Sequence, residues 1–264
     1  MNPILVFISH SIDTYFHEPY ASLLKGITYG VPIQLSPAFK QQITRSGLTH
    51  LVVLSGANIT ILVAAIEILC IRLGRKMGMI LNFAFVGFFT YIVGLQAPLL
   101  RALIMFTSSS LCVMTGRPSY VWWNVWLSVF FVAVLKPEWI TTLSFVLSLT
   151  ATIGLIMASA WIKKLPVTLP GLVEESIQSI IVFLCTLPIS IVAFHSFSLV
   201  SPFATTLASL LILPLMAGGL LLPLCHFLFP PLAQLLAYPL YGLLLGLVTI
   251  IQRSAAVPFG YIQW

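Results

Sequence analysis

Polar and apolar positions are unevenly distributed along this chain. From His50 onward, long apolar runs cover residues 49–71, 79–96, 98–115, 121–135, 140–162, 177–196, 203–222 and 232–252, separated by short polar connections. A bilayer's hydrocarbon core is about 30 Å thick and takes about 20 residues of helix to cross. The pattern therefore predicts eight spans, with seven or nine also compatible. The fourth run is short and is expected to be tilted or incomplete. Residues 1–47 differ: they are mixed and carry Asp13, Glu18, Lys25, Lys40 and Arg45. They read as an interfacial segment of short helices, one of them opened by Pro37 and running through Phe39 and Ile43. Two regions follow: 1–47, leading in, and 48–264, the transmembrane domain.

Composition makes the bilayer reading firm. Hydrophobic residues are 59% of the chain and charged residues 7%, against about 25% charged in ordinary soluble domains. Mean hydropathy is +1.08. Water cannot cover such a chain, so the predicted fold class is all-α, a polytopic membrane helical bundle. Aromatics at 12% suit interfacial belts, and Trp122, Trp123 and Trp126 read as one. The net charge of +6 lies mainly in loops. Arg72, Arg75 and Lys76, then Arg117, then Lys163 and Lys164 follow the first, third and fifth runs. The intervening loops hold only Lys136, which assigns the first set to the cytoplasm. The four cysteines stand singly in apolar runs and read as packing residues. Ile4–Ile8 has no basic segment ahead of it and is not read as a signal peptide.

Within the runs, polar residues and prolines mark what hydrocarbon tolerates poorly. Pro188, Pro214 and Pro239 each remove a helix hydrogen bond, and Gly218-Gly219 follows Pro214. Such breaks in a membrane need protein or a water-filled cavity around them. In the first run, His50 and Asn58 fall about 80° apart on a helix, with Ser55-Gly56 between them. Together they read either as interhelical hydrogen bonding or as a polar lining. Arg101 is the least comfortable residue. At the bilayer centre it would cost about 2.5–3.5 kcal/mol to insert, unless it snorkels to the interface, pairs with Glu67 or faces an aqueous path. Ser144 and Ser148, four apart, share a helix face.

Catalytic patterns are missing from the sequence. There is no HExxH, no intramembrane aspartate pair and no nucleophile elbow. The six acids are scattered, and the close pair Glu174-Glu175 has no histidine nearby. The chain is therefore read as not an enzyme, without catalytic residues, metal or cofactor.

An ordered series of motifs nevertheless resembles the ComEC-type competence family. Glu18-Pro19-Tyr20-Ala21-Ser22-Leu23-Leu24-Lys25-Gly26 comes first, then Ser46-Gly47-Leu48-Thr49-His50-Leu51 with Ser55-Gly56. Pro98-Leu99-Leu100-Arg101-Ala102 and Met105 follow. Leu143-Ser144-Phe145-Val146-Leu147-Ser148 with Ala151 and Gly154 comes next, and Thr186-Leu187-Pro188, Phe194, Ser198, Pro202 and Pro214 complete the series. Many members have histidine where Asn58 stands and asparagine where Thr205 stands. The likeness is to the membrane core alone. An oligonucleotide-binding domain and a metallo-β-lactamase-like domain are expected to be lacking here, so the chain is a short member, a fragment, or one partner of domains on separate polypeptides.

The resemblance implies a channel core that internalises single-stranded DNA during natural transformation, across the cytoplasmic membrane of a prokaryote. It implies as partners single-stranded DNA, the lipid bilayer and other competence proteins, namely a DNA receptor and a cytoplasmic helicase or nuclease on separate chains. Further copies of the chain itself are an open alternative. Candidate path residues are His50, Ser55, Gly56, Asn58, Arg101, Ser144, Ser148 and Pro188, with Lys40 and Arg45 as entrance cations. The alternatives are an ion- or proton-coupled small-solute transporter and an intramembrane enzyme.

Overall fold

The computed structural model describes residues 3–32, 34–52, 75–165, 170–258 and 260–263. These form helices α1 (Pro3–Tyr15), α2 (Tyr20–Tyr29), α3 (Pro37–Ser46), α4 (Thr49–Val52), α5 (Arg75–Val93), α6 (Ala97–Met114), α7 (Val121–Leu135), α8 (Leu143–Ile162), α9 (Gly171–Phe194), α10 (Ser201–Leu228) and α11 (Pro230–Ala255). Strand β1 (Ser196–Ser198) pairs antiparallel with β2 (Tyr261–Gln263). The chain is thus an all-α membrane bundle. Helices α8 to α11 are long and apolar enough to cross a membrane, and Met77–Val93, Leu99–Cys112 and Val121–Leu135 are shorter apolar helices. The seven apolar runs from residue 79 onward all became helices. The fourth run is short as anticipated: the 15 residues of α7 reach only about 22 Å. The first run lies mostly outside the described residues.

The chain divides into a larger unit, Met1–Leu54 with Thr150–Trp264, and a smaller one, Ser55–Leu149. The larger unit is built on α10 and α11, which Phe229 joins as an antiparallel hairpin; α2 packs against both and α3 against α11. Leu23, Leu24, Ile27, Leu48, Ile212, Leu215, Met216, Leu222 and Leu244 are fully buried there. Close approach requires small residues on α10. A Cβ on Gly218 would meet Leu240 at 2.3 Å, and one on Gly219 would meet Thr28 at 2.5 Å.

The entering helices have local reasons for their bounds. Ser36 caps α3 by accepting from the Phe39 amide, and Pro37 occupies its first turn. Gly47, at φ +73°, ends it, and the Leu48 amide reaches back to the Ile43 carbonyl. The same glycine admits Ser201, whose hydroxyl donates to the Gly47 carbonyl at 3.2 Å.

Pro188, Pro214 and Pro239 lie inside helices that continue through them, as does Pro223. A proline removes one hydrogen bond, and a neighbour can replace it. Pro223 shows how. In a regular helix the Gly219 carbonyl would accept from residue 223, which here has no N–H. The buried Tyr29 hydroxyl donates to that carbonyl instead, at 3.0 Å. Burial raises the Tyr29 phenol above its ordinary pKa, so it remains protonated and a donor.

In the smaller unit, α5 and α6 form a hairpin around Gly94, with Phe83 and Phe106 in ring contact at 5.4 Å. Ala97, Leu100, Val132 and Phe145 form its apolar core, with Ile104, Val129 and Leu149 packed against it.

Candidate functional site

The smaller unit buries a cation. Arg101 lies one turn into α6, beside Leu100 and Ile104, and is 6% exposed. Its Nη2 donates to Ser148 Oγ at 2.6 Å, a bond that ties α6 to α8. Its Nε and Nη1 groups are buried with no acceptor among the described residues. Nor does a carboxylate balance it: the ion pairs among the described residues are Asp13–Lys25 at 2.7 Å and Lys136–Glu138 at 3.9 Å. The pairing with Glu67 considered above falls outside the described residues.

A second group in this unit is unsatisfied, and sequence reading missed it. Asn82 on α5 is fully buried, and both its Oδ1 and its Nδ2 lack a partner among the described residues. It shares a buried stripe with Met79, Val86 and Phe89, at helical spacing. That spacing was the available signal: an amide on the core-facing stripe of an otherwise apolar run.

A third polar group shows what satisfaction looks like in the same unit. Asn124 on α7 accepts from Ser108 at 2.8 Å and donates to Ser109 at 2.7 Å and Ser119 at 3.0 Å. Its amide is engaged on both sides, with both Nδ2 donors used, so it fastens α6 to α7 and has no donor left for a ligand.

Among the described candidates from the sequence, Arg101 and Ser148 are brought together. Ser144, one turn earlier on α8, is exposed, as is Pro188 within α9. His50 is exposed on α4, and Lys40 and Arg45 are exposed on α3. Ser55, Gly56 and Asn58 lie outside the described residues. Trp122, Trp123 and Trp126 are exposed at the start of α7, where a belt residue would stand.

The larger unit has polar contacts of its own between candidate spans. Ser209 on α10 donates to the Glu175 carboxylate on α9, and Thr206 donates to Ser179 at 3.3 Å. Two open cavities lie elsewhere in this unit. One, of about 210 Å³, is lined by Ser9, Asp13, Ser22 and Lys25; the other, of about 420 Å³, by Tyr20, Phe39 and Val248 among others. Among the described residues, no three of His, Cys, Asp and Glu gather as metal ligands would.

Comparison with known proteins places this architecture. The family model described as "Competence protein" matches residues 27–264. "Uncharacterized protein YcaI" of Escherichia coli (strain K12) is 25% identical over 205 residues, which cover 72% of this chain and 27% of that protein. "ComE operon protein 3" of Bacillus subtilis (strain 168) is 27% identical over 184 residues, covering 68% of this chain and 23% of that one. The chain thus corresponds to about a quarter of the length of these curated relatives. No solved structure matches.

Proposed function

The chain belongs to the Competence protein family, and from that premise we propose that it is the membrane channel core through which single-stranded DNA is internalised. The observation that carries this reading is Arg101: a buried cation, tied by one nitrogen to Ser148, with two further donor groups unfilled among the described residues. Guanidinium cannot shed its proton as a lysine can, so an apolar surround does not neutralise it. Holding it there is unfavourable unless an anion or water reaches it. A phosphodiester offers acceptors that match the guanidinium fork. One such contact, rather than many, also suits a strand that must leave as readily as it enters.

The membrane concerned is the cytoplasmic one of a prokaryote. Partners are the single strand itself and other competence proteins that deliver or pull it. The chain conducts rather than cleaves. Purified protein is expected to leave single-stranded DNA intact with or without divalent metal, and metal-dependent degradation lost on Glu174→Ala would move it into the enzyme class.

A second reading, an ion- or proton-coupled solute transporter, draws on the Glu175–Ser209 contact between candidate spans. Uptake separates the two. In cells lacking their own copy, this chain should restore entry of radiolabelled DNA and leave labelled small solutes unchanged. Restored solute entry without DNA entry would favour the transporter.

A further inference from the structure

Asn82 presents a chemistry different from that of Arg101. An amide carries a donor at Nδ2 and an acceptor at Oδ1, and both are buried and unfilled among the described residues. A phosphate supplies acceptors only, so it would satisfy the nitrogen and leave the oxygen orphaned. An aliphatic group would satisfy neither. A nucleobase edge presents donors and acceptors side by side, and an asparagine amide can engage both at an adenine.

The hairpin sets the axial offset between the two residues. Phe83 meets Phe106 across α5 and α6, so Asn82 stands level with about residue 107. That is six residues beyond Arg101, or about 9 Å along the helix axis. A single strand held at Arg101 by a phosphate would carry a base toward that level. Nor is an unfilled amide a general property of this unit, because Asn124 is engaged on both sides by three serines.

We propose that Asn82 is a second contact for the translocating strand, one that reads the base edge while Arg101 holds the phosphate. This rests on the channel reading above and assigns its substrate more narrowly, as a strand bearing bases rather than any polyanion. The contact adds no charge, so it contributes recognition without deepening the electrostatic hold on the backbone.

Binding across a salt series tests it, with purified chain in lipid nanodiscs. The probes are a single-stranded deoxyadenosine oligomer, an abasic oligomer of equal length and inorganic polyphosphate. Wild type should bind all three, the base-bearing oligomer about tenfold more tightly than the abasic one. Asn82→Leu should erase that tenfold preference while leaving abasic and polyphosphate binding, and the salt slope, as they were. Asn82→Ala, which removes the amide without filling its space, should do the same. Arg101→Gln should weaken all three and flatten the log–log salt slope by about 0.7, the share of one single-strand phosphate. If both Asn82 variants keep the preference, or lose abasic binding equally, this inference falls and the channel reading stands. Failure of the wild type to bind any of the three polyanions would overturn the channel reading itself, and this inference with it.

Discussion

The two units leave polar atoms unfilled in different ways. In the larger one, the buried orphans among the described residues are hydroxyls of Ser9, Thr28 and Ser198 and one amide oxygen, on Gln42. Each is a single neutral atom. Its demanding groups are met: Tyr29 by the Gly219 carbonyl, Lys25 by Asp13, and Glu175 by Ser209. In the smaller unit the orphans are two nitrogens of a cation and both ends of an amide. A hydroxyl can turn and share a helical carbonyl at little loss, whereas a guanidinium fork cannot. Imperfection in the larger unit is thus of the kind any bundle carries, and in the smaller unit it falls on a cation and a whole amide, the two groups to which the proposals above assign the strand.

The sharpest way to break this contrast is Arg101→Leu. DNA entry should fall at least a hundredfold, while the protein inserts normally and melts no lower than wild type, because the change removes an uncompensated buried charge. Normal uptake by this variant would make Arg101 a structural residue and erase the distinction. Asn124→Leu should behave oppositely within the same unit. Stripping the amide from three serines should lower stability by about 2 kcal/mol or more, read as a drop in melting temperature. An unchanged melt would show that the serine network contributes nothing.

Tyr29→Phe carries the test into the larger unit. Leaving the Gly219 carbonyl orphaned should cost about 1–3 kcal/mol. The phenol's pKa is raised on folding, so its share of stability is complete below its unfolded value of about 10 and declines as pH rises beyond it. Thermal melts of wild type should therefore weaken above that pH, and those of Tyr29→Phe should weaken less; parallel curves would remove the phenol from the account. The mildest test concerns orientation. Cysteine at Gly171 in the larger unit should be shielded from an impermeant external reagent, and cysteine at Glu138 in the smaller one should be labelled. The reverse outcome would invert the topology inferred from the Lys/Arg bias.

Much of the fold was legible because bilayer thickness and helix period act on each segment alone. The apolar runs marked the helices, and Pro37 marked the opening of α3, while the Ser36 cap and the Gly47 stop emerged only in the structure. Arg101 stood out because its discomfort depends only on its own run. Its partner Ser148 was visible as a polar position, but that the two would meet depends on how α6 and α8 pack. Asn82 was legible in principle, since it keeps the spacing of Met79, Val86 and Phe89, yet whether an amide is filled is decided by other helices. The prolines suggested broken helices for a related reason: sequence shows the bond a proline removes, not the neighbour that replaces it.

That replacement has a consequence for inheritance. Pro223→Ala would return an N–H to the Gly219 carbonyl, after which the Tyr29 hydroxyl would have nothing left to mend. Conversely, a phenylalanine at 29 should cost less stability once the proline has gone. Two positions far apart in the chain therefore share one fate, and a lineage drifting through sequence space should keep or exchange them as a pair.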